Sequence, residues 1–143
     1  MEDRPDHQQL FATMLQMRGA EVEISGNGRI ALERLIRDES TDQRFDLIVT
    51  DIEMPELDGC LLATALRQRE CTIPIIALTA YCSPGNRDRC LRAGCSDYLT
   101  KPVEWKTLTR CCQHWLKQSS LQPHCHTLCG DGRLTHAPRR GGV

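Results

Sequence analysis

Apolar residues recur along this chain with two periods, and the periods alternate. Leu10, Met14 and Met17 share one helical face, and Phe11 and Leu15 fall beside them, so the spacing predicts a helix over 5–18. Pro5 suits a first helical position, where its missing N–H costs nothing. Gly19 ends the helix. Residues 20–24 (AEVEI) alternate apolar and polar, as a half-buried strand does. A Ser25-Gly26-Asn27-Gly28 turn leads to a second helical stripe of Ile30, Ala31, Leu32, Leu35 and Ile36, and polar 38–44 reads as a loop. Residues 45–50 (FDLIVT) form a short apolar run of the kind found in buried parallel strands.

The alternation continues to residue 118. After a loop over 51–59, Leu61, Leu62, Ala65 and Leu66 mark a third helix, and residues 73–79 (IPIIALT) a further buried strand. Ser83-Pro84 is a helix cap followed by a first-turn proline, and that helix ends at Gly94. Residues 97–100 (DYLT) make a short strand, and Leu108, Cys112 and Trp115 stripe a last helix over 104–118. Strands alternating with helices predict an α/β fold built on a parallel, doubly wound sheet. Residues 119–143 differ: four Gly, two Pro and three His stand among few apolar residues. This composition predicts a mostly disordered tail. The expected division is a domain over 1–118 and a tail over 119–143.

Composition narrows the function. No stretch approaches the ~20 apolar residues of a spanning helix, and the acidic start MEDRPDHQQ is unlike a signal peptide. The net charge of −1 gives no electrostatic case for binding nucleic acid or a membrane surface. Most of the nine cysteines, without a secretory leader, are read as reduced thiols serving as small apolar residues in a cytoplasmic protein. Cys111 and Cys112 cannot both face the core, which leaves one thiol free to be exposed. His124, Cys125, His126, Cys129 and His136 supply zinc-type donors in the tail. Their spacing matches no established finger pattern, so incidental composition is the better account.

In open parallel sheets, chemistry sits at the carboxyl ends of the strands. Asp51 follows FDLIVT, Thr79 ends IPIIALT, and Lys101 follows DYLT. Glu2-Asp3 stands just before the first helix. Such a set suits phosphoryl transfer. Asp51 can act as a carboxylate nucleophile and form an aspartyl phosphate. Glu2, Asp3 and Asp51 offer oxygen ligands to Mg²⁺. Lys101 would offset phosphoryl charge, and the Thr79 hydroxyl would donate to a phosphoryl oxygen. A carboxylate is already anionic at neutral pH, so no general base is needed. A haloacid-dehalogenase-type phosphatase also uses an aspartate at a strand end, but it needs a second aspartate two residues on, where this chain has Glu53.

Taken together, these stretches resemble the receiver domain of two-component response regulators. The resemblance rests on Glu2-Asp3-Arg4-Pro5-Asp6, on Asp46–Asp51 with Met54-Pro55 and Asp58-Gly59, and on Ala77-Leu78-Thr79-Ala80. It extends through Ala93-Gly94 to Asp97-Tyr98-Leu99-Thr100-Lys101-Pro102, and covers about 1–117. The wording around ALTAYC and DYLTKP is most similar to receivers of hybrid histidine kinases. The resemblance implies a flavodoxin-like sheet in the order 2-1-3-4-5. It implies phosphotransfer to Asp51 from a histidine kinase or histidine phosphotransfer protein. It implies Mg²⁺ held by Glu2, Asp3, Asp51 and the backbone carbonyl of Glu53, and a cis Lys101-Pro102 bond that aims Lys101 into the site. It further implies a switch in which Thr79 and Tyr98 move together and remodel the surface over 84–118, where a downstream protein docks. Glu53 and Tyr81 match positions that tune phosphoaspartate lifetime. Such a domain is a signalling module, not an enzyme beyond its own phosphorylation and dephosphorylation. The family's first strand, about five apolar residues before the acidic pair, has no counterpart here. The central strand is therefore expected to be missing or incomplete, as in a fragment, a misassigned start or a damaged receiver. A phosphorylation-inactive, receiver-like interaction module, or a fragment of a hybrid kinase, is the alternative.

Overall fold

The computed structural model describes residues 5–38, 45–54, 56–119 and 133–136, and five helices alternate with strands along them. In chain order the elements are α1 (Pro5–Gln16), β1 (Glu21–Glu23), α2 (Gly28–Asp38), β2 (Leu47–Asp51) and α3 (Gly59–Gln68). They continue with β3 (Ile75–Thr79), α4 (Pro84–Ala93), β4 (Asp97–Thr100), α5 (Trp105–Ser119) and β5 (Arg133–His136). Each element predicted from residues 5–118 is present, with ends moved by one or two residues in most cases.

Local chemistry explains the boundaries. Asp58 is extended before α3 and accepts a hydrogen bond from Leu61 N at 2.8 Å, satisfying an otherwise unpaired first-turn donor. Ser83 does the same for Asn86 N at 3.3 Å, with Pro84 in the first turn of α4. Gly94 closes α4 at φ +107°, a left-handed position that disfavours side chains.

The buried strands β2 and β3 alternate their side chains between two cores. Ile48, Ile75 and Ala77 pack with Ala31 and Leu35 of α2, Leu62 and Leu66 of α3, and Cys90 of α4. Leu47, Val49, Ile76 and Leu78 face the other way, against Leu108 and Cys112 of α5, with Phe11 of α1 at the margin. Helices therefore cover both faces, which is why β2 and β3 are buried along their whole length.

One sequence expectation is revised in the tail. The sheet runs β1-β5-β2-β3-β4, and its central position belongs to Arg133–His136. This strand pairs antiparallel with β1 (Val22 opposite Thr135) and antiparallel with β2 (Ile48 opposite Leu134). The two remaining pairings, β2 with β3 and β3 with β4, are parallel. The order is thus the 2-1-3-4-5 pattern with a tail strand in the place of its first strand. The physical reason is the ladder: β1 and β2 would otherwise present unpaired backbone groups to each other across the sheet's middle. Among the described residues, β1 joins the sheet through β5 alone.

Arg67, near the end of α3, binds the opposite end of the domain together. Its Nε donates to Gly94 O at 3.0 Å, Nη1 to Cys71 O at 2.5 Å and Nη2 to Ile73 O at 2.9 Å. One guanidinium so satisfies carbonyls from the end of α4 and from the loop entering β3. Replacing Arg67 with Met should keep the apolar stem, orphan these carbonyls and lower unfolding free energy by about 2–3 kcal/mol, read from urea denaturation.

The seven described cysteines are free. Cys60, Cys71, Cys90, Cys95 and Cys112 are buried, and Cys82 is exposed. Burial pushes the thiols of Cys90, Cys95 and Cys112 up to about 12, so they stay protonated and behave as small apolar groups. Cys111 is half-buried rather than exposed: its thiol lies 3.2 Å from Asp97 Oδ2. With Cys125 and Cys129 changed to serine, a disulfide reagent at pH 8 should find one fast thiol, Cys82, and the other six only in denaturant.

Candidate functional site at the carboxyl ends of the strands

Three adjacent parallel strands end at one edge of the sheet, and each delivers one of the predicted groups. Asp51 is the last residue of β2 and is 6% exposed. Thr79 is the last residue of β3 and is 2% exposed. Lys101 follows β4 directly, and its backbone N–H donates to Thr79 O at 2.7 Å. Thr100 stands opposite Thr79 in the β3–β4 register, and Leu78 opposite Asp51 in the β2–β3 register. Backbone pairing, with no long side-chain reach, thus sets the three residues side by side.

Side chains complete the arrangement. The Lys101 ammonium is paired with Asp51 Oδ2, and the Lys101–Pro102 peptide that follows is cis. The other carboxylate oxygen, Asp51 Oδ1, accepts the Glu53 backbone N–H at 3.0 Å. A buried carboxylate left alone would be costly, so the ammonium and the amide are what permit Asp51 to be charged there. The Thr79 hydroxyl accepts the Tyr81 N–H at 3.1 Å, which ties the start of the loop after β3 to the strand end. Tyr81 itself is 65% exposed.

Tyr98 lies one strand away, opposite Ala77, and is partly buried against the core of the α2–α3–α4 face. The Arg87 guanidinium of α4 stands 5.8 Å from its ring centre, within cation–π range. Glu2 and Asp3 lie outside the described residues, as do His124, Cys125, His126 and Cys129 of the tail. Among the described residues, no three His, Cys, Asp or Glu side chains converge on a common point.

Sequence reasoning missed several supporting groups. Gly59, placed by the sequence only at the end of the loop over 51–59, approaches the Asp51 carbonyl so closely that an added Cβ would collide with it. Its N–H also donates to Ile52 O at 3.2 Å. Arg89 of α4 pairs with Asp58 Oδ2 at 2.7 Å, tying α4 to the cap of α3. At the far end of β4, Asp97 Oδ2 accepts the Trp115 indole N–H at 3.1 Å and thereby docks α5. Helical period betrays none of these, because each links residues far apart in sequence. A glycine inside a strand-end loop was the one available hint.

Residues 1–113 match the response regulator receiver domain family. The chain belongs to that family. Over 113 residues it is 36% identical to hybrid signal transduction histidine kinase M of Dictyostelium discoideum, covering 76% of this chain and 5% of the kinase. It is 37% identical over 111 residues to signal transduction histidine-protein kinase BarA of Escherichia coli K12, covering 76% of this chain and 11% of that protein. This receiver therefore spans only a small part of the curated kinases it matches. Among solved structures, the receiver domain of sensor histidine kinase PA1611 from Pseudomonas aeruginosa aligns with a TM-score of 0.68 at 36% identity. That alignment covers 82% of this chain and 93% of the other, whose active-site cleft coordinates a magnesium ion. The flavodoxin-like receiver fold, and kinship with hybrid-kinase receivers, follow from these likenesses.

Gly59→Ala tests how tightly the receiver's Asp51 loop is packed. The added methyl should displace the Asp51 carbonyl and cost about 1–3 kcal/mol, seen as a lower urea midpoint with an unchanged m-value.

Proposed function

We propose that this receiver accepts a phosphoryl group on Asp51 from the phosphohistidine of a histidine kinase or histidine phosphotransfer protein. The observation that carries the reading is the Asp51 carboxylate, buried at a strand end and held between the Lys101 ammonium and the Glu53 N–H. A carboxylate oxygen of Asp51 attacks phosphorus, the P–N bond to imidazole breaks, and the imidazole leaves with its electron pair. Lys101, already seated against Asp51, exchanges part of its ion pair for the phosphoryl oxygens. The Thr79 hydroxyl, at the end of the next strand, turns from the Tyr81 N–H to donate to one of them.

Mg²⁺ fits the donor chemistry: Asp51 and the Glu53 carbonyl are hard oxygens, and Glu2 and Asp3 would add two carboxylates. When bound, the cation screens the anionic nucleophile from the anionic phosphoryl group. Movement of Thr79 frees space beside β4, and Tyr98 turns into it, leaving Arg87. The resulting change over 84–118 is what a downstream protein reads, through a local charge event that biases a two-state element. Glu53 and Tyr81 flank Asp51 and Thr79 and set how long the phosphoaspartate persists. The domain works in the cytoplasm, beside the kinase; among the described residues no helix is long and apolar enough to cross a membrane.

A second reading, a phosphorylation-inactive interaction module, draws support from the central strand being supplied by the tail. One gel separates the two. Incubated with phosphoramidate and Mg²⁺, the wild-type chain should show a retarded band on a phosphate-affinity gel. Asp51→Asn, isosteric and uncharged, should show none. Absence of an Asp51-dependent band would favour the second reading.

A further inference from the structure

We propose that the tail segment Arg133–His136 is a working part of the domain: an in-cis clasp strand that fills the cleft between β1 and β2 and holds the Asp51 strand in place. The cleft is defined by backbone. On one side are the three residues of β1, each opposite a residue of β5. On the other are Leu47, Ile48 and Val49 of β2, again each opposite β5. With β5 in place Leu47 is fully buried and Val49 is 2% exposed, and these two turn their backbone groups toward β5, since Ile48 between them donates to Pro74 O on the β3 side. Withdrawing the strand strips those groups of their partners and opens them to exchange. Since β1 has no other strand neighbour among the described residues, withdrawal would also release β1 from the sheet.

Two features make the segment a clasp rather than an ordinary core strand. Its polarity is the first. The sequence Arg133-Leu134-Thr135-His136 places Arg133 level with Val49 and Thr135 level with Leu47, whereas β2 and β3 read as apolar runs. A strand buried on both faces normally carries such a run, so β5 is held mainly by main-chain hydrogen bonds. Reach is the second. Residues 120–132 join α5 to β5 and extend to roughly 40 Å, more than twice the ~17 Å height of a five-residue strand. The same chain can therefore close its own sheet, and can release it without unfolding α5. Asp51 lies two residues beyond Val49, so the state of the tail bears directly on the candidate site.

The test reads backbone protection and is independent of phosphotransfer. In the full chain, Thr135→Pro removes an amide and introduces a ring that a central strand does not accept. It should lower amide hydrogen-exchange protection at Leu47 and Val49 of β2, and at Glu21 and Glu23 of β1, by roughly 100-fold, while Ile48, whose N–H donates to Pro74 O on the β3 side, changes least. Thr135→Val, which favours strands, should keep or raise that protection. A chain ending at residue 136 should match the full chain, and one ending at 132 should match Thr135→Pro. A peptide spanning 130–139, added to the shorter chain, should restore protection. The proposal is overturned if Pro and Val variants behave alike, or if the chains ending at 132 and 136 exchange at the same rate. Size-exclusion with light scattering should give a monomer; a dimer that exchanges the strand between copies would overturn the in-cis assignment.

Discussion

A strand buried in the middle of a sheet must have its backbone groups paired along both edges. That constraint governs this receiver more than any single side-chain contact. β2 carries Asp51 and stands between β3 on one side and the tail strand on the other. Its parallel pairing with β3 sets the height of Asp51 against Leu78, and the β3–β4 pairing sets Thr79 against Thr100. Lys101 then needs only to follow β4 to meet Asp51. The site is thus a consequence of strand register at one edge of the sheet.

Charge is handled by the same economy. Asp51 is buried, and the Lys101 ammonium and Glu53 N–H take its two oxygens. Elsewhere the charged groups are bound to backbone or lie near the surface. Arg67 gathers three carbonyls, and Asp97 anchors α5 through Trp115. The Arg89–Asp58 and Arg34–Glu23 pairs are half exposed, and such pairs contribute little each. The buried cysteines are small apolar fillers in this scheme, four of them within the core between the sheet and α2, α3 and α4. The domain keeps one buried carboxylate at the strand ends, and that carboxylate is the proposed phosphoacceptor.

The order of elements over 5–118, the Ser83 cap of α4 and the strand-end positions of Asp51, Thr79 and Lys101 were legible in the sequence. They depend on local signals: period 2 against period 3.6, a Ser before a first turn, a Gly after a last one. The role of Gly59 against the Asp51 carbonyl was legible only as a glycine in a strand-end loop, because close approach of two backbones does not name its partner. The docking of Arg67, which has the spacing of any surface arginine on α3, was not legible. The tail strand was the largest gap. Arg-Leu-Thr-His has no apolar run and follows a Gly-rich stretch, so composition assigned it to disorder.

By itself, then, the sequence determined which segments become helices and strands, which residues stand at the strand ends, and which family the chain resembles. Side-chain pattern suffices for these, because each is decided within a few residues. Only the tertiary structure decided which segment closes the central ladder, that Lys101 meets Asp51, and which arginine clasps the far end of the sheet. Those choices follow from satisfying buried backbone and buried charge across long sequence separations. A main-chain N–H is the same group in every residue except proline, so no residue code announces its partner.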